Sequence, residues 1–443
     1  MSALNMRRLT SFQTILLGFL LVILFGAALL ALPIAGKSGQ GTPFLDALFT
    51  ATSAICVTGL VVRDTATYWS GFGKVVILIL IQIGGLGVVT IATILTRLAG
   101  RKIGLQQRSV LRDSVSAPQL GGIIRYLRWI LTVTFVTEAA GAALLFTAFA
   151  GEYGAPKGLV LSVFHSVSAF CNAGFDLMGE KAAFSSMTSY RASVPVNVVL
   201  MLLIVVGGIG FQTLDDIRTN RHHLSRYRLQ SKLALATSAA LIVIPAVLFY
   251  CFEYAHLSGG ERVLTSLFQS VTTRTAGFNT ADYAEMSEAG QMLTILLMLV
   301  GGSPGSTAGG MKTTTLAVLM IAAAAVFRRR DRGAVFGRTV PAGVVRSAAA
   351  ILVAYLTLFL TVSAVICRVE HMALLTAMFE TASAIGTVGL TLGVTPQLGQ
   401  LSKSLLIFLM YFGRVGGLTL IFAALPNAEP ACGRFPEETV SVG

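Results

Sequence analysis

Of the 443 residues, 54% are hydrophobic and 12% charged, the mean hydropathy is +0.77 and the formal net charge is +13. Soluble domains carry about twice that charged fraction, which excludes a water-soluble fold. The positive charge is gathered into three connecting segments, the ordinary signature of inner-membrane loops, so a nucleic-acid surface is not needed to explain it.

Arg7 and Arg8 precede an apolar run over 12–33. The run is too long for a secretory signal and lacks a cleavage site, so it reads as a first membrane span. Next comes Pro43 to Ala51, too apolar for an ordinary loop and too short to cross, which predicts a re-entrant half-helix. It ends in Thr52-Ser53-Ala54-Ile55-Cys56-Val57-Thr58-Gly59, before a second span at 74–97 that carries Gly84-Gly85-Leu86-Gly87. Basic residues follow: Arg97, Arg101, Lys102, Arg108, Arg112 and Arg125.

The same order then recurs. A span at 127–150, a half-helix over Leu161 to Val167 and the segment Ser168-Ala169-Phe170-Cys171-Asn172-Ala173-Gly174 lead to a span at 195–214 with Gly207-Gly208-Ile209-Gly210. A third set has a span at 231–252, a half-helix from Glu261 to Val271, Thr272-Thr273-Arg274-Thr275-Ala276-Gly277 and an interrupted span at 289–325. The fourth has 346–367, a half-helix from His371 to Ala382, Ser383-Ala384-Ile385-Gly386-Thr387-Val388-Gly389, a span at 402–425 and a polar tail over 427–443. Further basic segments, Arg218 to Lys232 and Arg328 to Arg338, follow the fourth and sixth spans. The positive-inside rule makes these loops and both termini cytoplasmic.

The predicted fold class is an all-α polytopic membrane protein, a single pore domain over 1–443. It contains four repeats, approximately 10–100, 120–216, 228–327 and 344–426, of span, re-entrant half-helix, glycine loop and span around one pore. Non-helical backbone is tolerated at membrane depth only where it is buried or lines water. Glycine adopts positive φ and can aim carbonyls at an axis, and the partly negative C-terminal ends of the half-helices favour a cation there. The expected filter residues are Val57, Thr58 and Gly59; Asn172, Ala173 and Gly174; Thr275, Ala276 and Gly277; Thr387, Val388 and Gly389.

Close helix packing accounts for the glycines of the first two second spans as well as any special role does. The third second span is different. Gly301, Gly302, Ser303, Pro304, Gly305, Ser306, Thr307, Ala308, Gly309, Gly310, Met311 and Lys312 follow one another, and no continuous helix would choose that run, so this span alone is expected to break into a gating loop. Arg414, deep in the last span, marks the bundle interior and is expected below the filter, as a positive barrier in the path or an anchor for the loop's carbonyls. Arg274 lies inside the third glycine segment and is expected behind the filter, paired with Glu138 or Glu380 as support. Cys56, Cys171, Cys251, Cys367 and Cys432 show no ligand spacing, and His222 and His223 lie in a basic loop, so potassium at the filter is the one metal expected.

These segments resemble the Trk/Ktr/HKT superfamily of potassium transporters, most closely the bacterial Ktr-type membrane subunit. The resemblance covers roughly 10–425 and is most specific at Thr272 to Thr280, Gly305 to Thr314 and Gly413 to Gly417. It implies potassium as the permeant ion, since sodium-selective plant relatives carry serine where Gly59 stands. It also implies a homodimer with one pore per subunit in the bacterial inner membrane, and a cytoplasmic ring of RCK-type nucleotide-binding subunits that controls the gate. The chain has no phosphate loop of its own, so any nucleotide acts through that partner, while membrane lipid competes for the basic loops. Sodium stimulation, or an ion-coupled symporter using sodium or protons, stays open as the alternative. An intramembrane enzyme does not, because Asp215 and Asp216 fall at a cytoplasmic span end and His165 and Ser168 on an outer half-helix.

Overall fold

The computed structural model describes residues 10–98, 104–115, 121–417 and 419. Arg7, Arg8, Arg101, Lys102, Cys432, the tail over 427–443 and the far end of the eighth predicted span lie outside them. The first span of each repeat is a long apolar helix: α1 (Ser11–Ala31), then, after α2 (Phe44–Cys56), α3 (Gly71–Leu86), α4 (Val88–Leu98) and α5 (Leu105–Ser114), the helix α6 (Ile123–Tyr153). There follow α7 (Ala155–Phe170), α8 (Val194–Gly208), α9 (Phe211–Asn220), α10 (Leu229–Phe252), α11 (Gly259–Thr272), α12 (Glu288–Met298), α13 (Thr313–Phe327), α14 (Ala342–Glu370), α15 (Leu374–Gly386) and α16 (Gln400–Val415). Helices α1, α6, α10 and α14 are long and apolar enough to cross a membrane unaided. Thr10 starts α1 with a capping box to Gln13, which satisfies N–H groups that the helix itself cannot. A short hairpin, Ala334–Val335 with Arg338–Thr339, is the one pair of strands among the described residues, beside isolated bridges from Gly36 to Trp69 and from Val300 to Met311.

Helices α2, α7, α11 and α15 are the half-helices. Three of them lie between the two spans of their own repeat and the second span of the preceding one: α2 touches α1, α3 and α16, α7 touches α6, α8 and α3, and α15 touches α14, α16 and α12, while α11 touches the first span of its own repeat, α10, and the second span of the preceding one, α8. The repeats therefore close into a ring. Asp46 of α2 takes Arg63 at 2.9 Å and Lys403 of α16 at 3.1 Å, a clamp between the first repeat and the last.

The second spans correct one expectation. The sequence suggested a break in the third copy only, but every copy is interrupted. Helices α3 and α4 meet at 96°, as do α8 and α9; α12 and α13 are separated by the glycine loop; and α16 stops before Gly416. In the first, second and fourth copies the break falls at one glycine with a dihedral no helix contains: Gly87 at φ 86°, Gly210 at φ 94° and Gly416 at φ 90°. The packing role of the glycines is present as well. A Cβ at Gly84, Gly207 or Gly413 would stand 2.2, 1.9 or 2.1 Å from the carbonyl oxygen of Ile55, Phe170 or Ile385, each in the last turn of a half-helix. Gly207→Ala is thus expected to force backbone apart at a place with no side chain to yield, destabilising the protein by on the order of 3 kcal/mol. A thermal midpoint in detergent close to the parent's would refute this.

Candidate functional site

The four glycines expected to form the filter meet. A Cβ on Gly59 would lie 2.6 Å from the Ala173 carbonyl oxygen; on Gly174, 2.8 Å from that of Ala276; on Gly277, 2.5 Å from that of Val388; on Gly389, 2.2 Å from that of Thr58. Each glycine thus faces the carbonyl preceding the glycine of the next copy, and the fourth returns to the first. The loops also share a backbone. Two residues before each glycine Val57, Asn172, Thr275 and Thr387 have φ of 55°, 56°, 64° and 51°, and the glycines themselves have φ of 92°, 67°, 82° and 95°. Left-handed dihedrals are uncommon outside glycine and strained for β-branched residues, costing about 1–3 kcal/mol each. Val57, Thr275 and Thr387 therefore hold a conformation that their surroundings impose.

What imposes it is a hydroxyl residue at the end of each half-helix, a signal present in the sequence but missed as a site. Ser53, Ser168, Thr272 and Ser383 accept through their carbonyls from Thr58, Ala173, Ala276 and Val388 N–H at 2.8, 2.8, 2.9 and 2.8 Å. Their side chains then tie the loop beyond. Ser53 and Ser383 Oγ accept from Gly59 and Gly389 N–H at 3.0 Å each; Ser168 and Thr272 hydroxyls donate to the carbonyls of Phe175 and Phe278. Ser383→Ala would leave a buried N–H unpaired and is expected to cost about 1–3 kcal/mol. Thermal unfolding in detergent checks it, with Ser404→Ala, whose hydroxyl is exposed, expected to change nothing.

The loop between α12 and α13 lies against these segments where they leave their half-helices, in contact with the second and fourth repeats. Ser303 N donates to Gly208 O at 3.0 Å, Thr307 N to Gly207 O at 3.2 Å and Gly310 N to Gly413 O at 3.2 Å. The Thr307 hydroxyl donates to Phe170 O or Asn172 Oδ1, both at 3.0 Å. Glycine is required where the loop passes the fourth filter segment, since a Cβ on Gly309 would stand 2.1 Å from Thr387 Oγ1. Gly301 N–H donates to Met311 O at 2.8 Å and Thr313 N–H to Gly302 O at 3.0 Å, closing the loop's neck, and Ser303 and Thr313 hydroxyls bond at 3.0 Å. Pro304 and Gly305 lie against the bend of the second repeat, where Phe211 N donates to Gly305 O at 2.9 Å.

Arg414 joins this loop to the first repeat. Its Nη1 donates to Thr307 O and its Nη2 to Gly84 O, so the guanidinium bridges the loop and the end of α3. Lys312 Nζ donates to Ala308 O at 2.8 Å. Arg414, Lys312, Gly305, Ser306 and Asp113 of α5 are among the residues that line a cavity of about 390 Å³. The anchoring reading of Arg414 is the one its contacts match, and both positive side chains still border the cavity.

The expected ion pair behind the filter does not form. Arg274 is 6% exposed and extends toward α10, where Nη2 donates to Ser238 Oγ at 3.3 Å. Glu138 accepts instead from Gln82 Nε2 at 3.1 Å. Glu380 accepts from Thr391 and Thr395 hydroxyls at 2.5 and 2.6 Å and from Leu392 N–H at 3.0 Å. Each acid accepts from neutral donors close to it in space, three for Glu380 and a single amide with a distant thiol for Glu138, and neither is within ion-pair reach of Arg274. Both carboxylates nevertheless sit directly behind glycine segments: Glu138 is 3.8 Å from the Cys171 thiol, and Glu380 belongs to the half-helix that ends in Gly386.

Comparison with known proteins gives a consistent set. The family described as TrkH, cation transport protein, matches residues 7–429. The potassium/sodium uptake protein NtpJ of Enterococcus hirae is 40% identical over 99% of this chain and 98% of its own. Ktr system potassium uptake protein B of Bacillus subtilis is 37% identical over 98% and 97%. Among solved structures, the potassium transporter TrkH of Vibrio parahaemolyticus superposes with a TM-score of 0.75 at 20% identity, covering 96% of this chain and 86% of that one, a likeness of fold.

Proposed function

Because this chain belongs to the TrkH cation transport family, we propose that its ring of four glycine loops passes potassium into the cell. The protein is a multi-pass membrane transporter and not an enzyme. The observation that carries the reading is the closed cycle of glycines, each against the next copy's carbonyl. Such a ring replaces a cation's hydration shell with backbone oxygen. The buried hydroxyls of Thr58, Thr275 and Thr387, which have no hydrogen-bond partner among the described residues, stand beside it. In this reading an inside-negative potential drives inward flow, worth about 2.3 kcal/mol per charge per 100 mV.

The loop from Gly301 to Lys312 is the gate, held shut beneath the filter by Arg414. Arg274, Glu138 and Glu380 brace the filter from behind through separate contacts. Both termini and the basic loops face the cytoplasm, where a ring of nucleotide-binding subunits would release the gate, and the protein works as a homodimer in the inner membrane. The test is potassium-dependent growth of a transport-deficient bacterium supplied with the regulatory subunit. The parent chain is expected to restore growth at low potassium. Gly59→Ser, which puts a side chain toward the Ala173 carbonyl, is expected to lower potassium uptake several-fold relative to sodium. Membrane-localised parent protein without uptake would defeat the proposal, and flux under separate potassium, sodium and proton gradients decides whether a second ion is coupled.

A further inference from the structure

Glu138 is 5% exposed, near the middle of a membrane-spanning helix. Its two carboxylate oxygens accept from one neutral amide, Gln82 Nε2, at 3.1 and 3.3 Å, with the Cys171 thiol at 3.8 Å as the remaining contact. Among the described residues no base lies within ion-pair distance of it. A carboxylate at this depth without a counter-ion is unfavourable by several kcal/mol, and a cation brought to it would relieve that cost.

There is a way in. Gln82 and Glu138 form the floor of a groove of about 430 Å³ between α3, α6 and α7. Its walls are otherwise apolar, and Ile79 and Phe135 on its rim are 52% and 55% exposed. Large exposed apolar residues on membrane helices face lipid, so the groove opens sideways into the acyl region. An apolar wall with a carboxylate and an amide oxygen at its base is complementary to a molecule with a hydrocarbon tail and a cationic N–H head.

We propose that this groove binds amphiphilic alkylammonium ions from the membrane. The tail lies against Ile79, Phe135 and Val163, and the head donates to Glu138 and to Gln82 Oε1. Cys171, which touches both groups, immediately precedes Asn172 of the second filter segment. Occupancy therefore acts on one quarter of the filter from behind, without the ligand entering the ion path.

The site is tested first without reference to transport. Purified protein in liposomes is treated with dicyclohexylcarbodiimide, a lipid-soluble carbodiimide. The carboxyl oxygen bonds to the central carbon, its proton passes to a nitrogen, and the adduct rearranges to an N-acylurea with no atom lost. Peptide mass mapping is expected to find the adduct on Glu138, and dodecylammonium to lower its yield at least tenfold where dodecanol does not. No adduct at Glu138, or equal protection by amine and alcohol, overturns the proposal. In a second arm dodecylammonium slows rubidium flux through the parent protein. Ala139→Trp, which fills the groove, is expected to raise the inhibitory concentration at least tenfold while leaving basal flux unchanged. Equal potency on both proteins also overturns it. Labelling does not depend on flux, so failure of the potassium reading would be seen separately.

Discussion

Gly389→Ala should reduce potassium uptake by at least about tenfold at equal protein in the membrane. The glycine has φ 95°, where an alanine is strained by about 1–3 kcal/mol. A new methyl would in addition stand 2.2 Å from Thr58 O and 2.9 Å from Gly59 Cα. Both are backbone atoms of the neighbouring filter loop, itself fixed by the Ser53 hydroxyl at 3.0 Å from Gly59 N. Neither side can yield without moving a carbonyl of the ring. If the ring coordinates the cation as proposed, a displacement of one carbonyl changes that coordination directly, so the loss falls on conduction before it falls on folding. Rubidium uptake in cells, normalised to membrane protein, is the measurement. Gly151→Ala, where an added Cβ meets nothing within 4 Å, is the control expected to behave as the parent, and full uptake by Gly389→Ala would mean that the ring is not the filter.

The second large effect has the opposite sign. Arg414→Ala should raise basal flux in the absence of any regulatory subunit, by roughly tenfold, because it removes the bridge from Thr307 O to Gly84 O, leaving the buried Thr307 carbonyl without its donor and the Gly84 carbonyl with Gly87 N–H alone. A tenfold change corresponds to about 1.4 kcal/mol of the closed state's advantage, within the range of one charge-assisted hydrogen bond. Arg414→Lys separates the two roles a cation can have here. Lysine keeps the charge but cannot donate to two diverging carbonyls from one planar group. If the bridge holds the gate, Lys leaks nearly as Ala does; if charge alone opposes cation flow, Lys restores the parent. Flux through Arg414→Ala equal to or below the parent's would remove Arg414 from the gate altogether.

The repeat was legible in the sequence because each copy spells it twice, once in hydropathy and once in a glycine after small hydroxyl residues. The broken third span was legible for a similar reason, since Pro304 among five glycines leaves no helical alternative. The bends at Gly87, Gly210 and Gly416 were not, because a single glycine in an apolar run reads equally as a packing residue; only the dihedral distinguishes the two uses, and here glycines three residues apart serve one each. The partners of Arg274 were hidden for another reason. Opposite charges in one membrane chain suggest a pair, yet Glu138 and Glu380 each found neutral donors nearby, Gln82 for one and two threonines for the other. Ser53, Ser168, Thr272 and Ser383 were visible as letters, but their task depends on which loop atom lies within reach, a property of the folded backbone.

The cyclic wedging of half-helices has a consequence for biosynthesis. Gly59 is made early, but the Gly389 loop that completes its surroundings is made last, and the clamp from Asp46 to Lys403 spans 357 residues. At about 5–20 residues per second of synthesis, the first filter loop waits on the order of tens of seconds in the membrane with one side open. A nascent chain stopped before its fourth repeat therefore lacks the segment against which the Thr58 carbonyl and α2 pack in the complete ring.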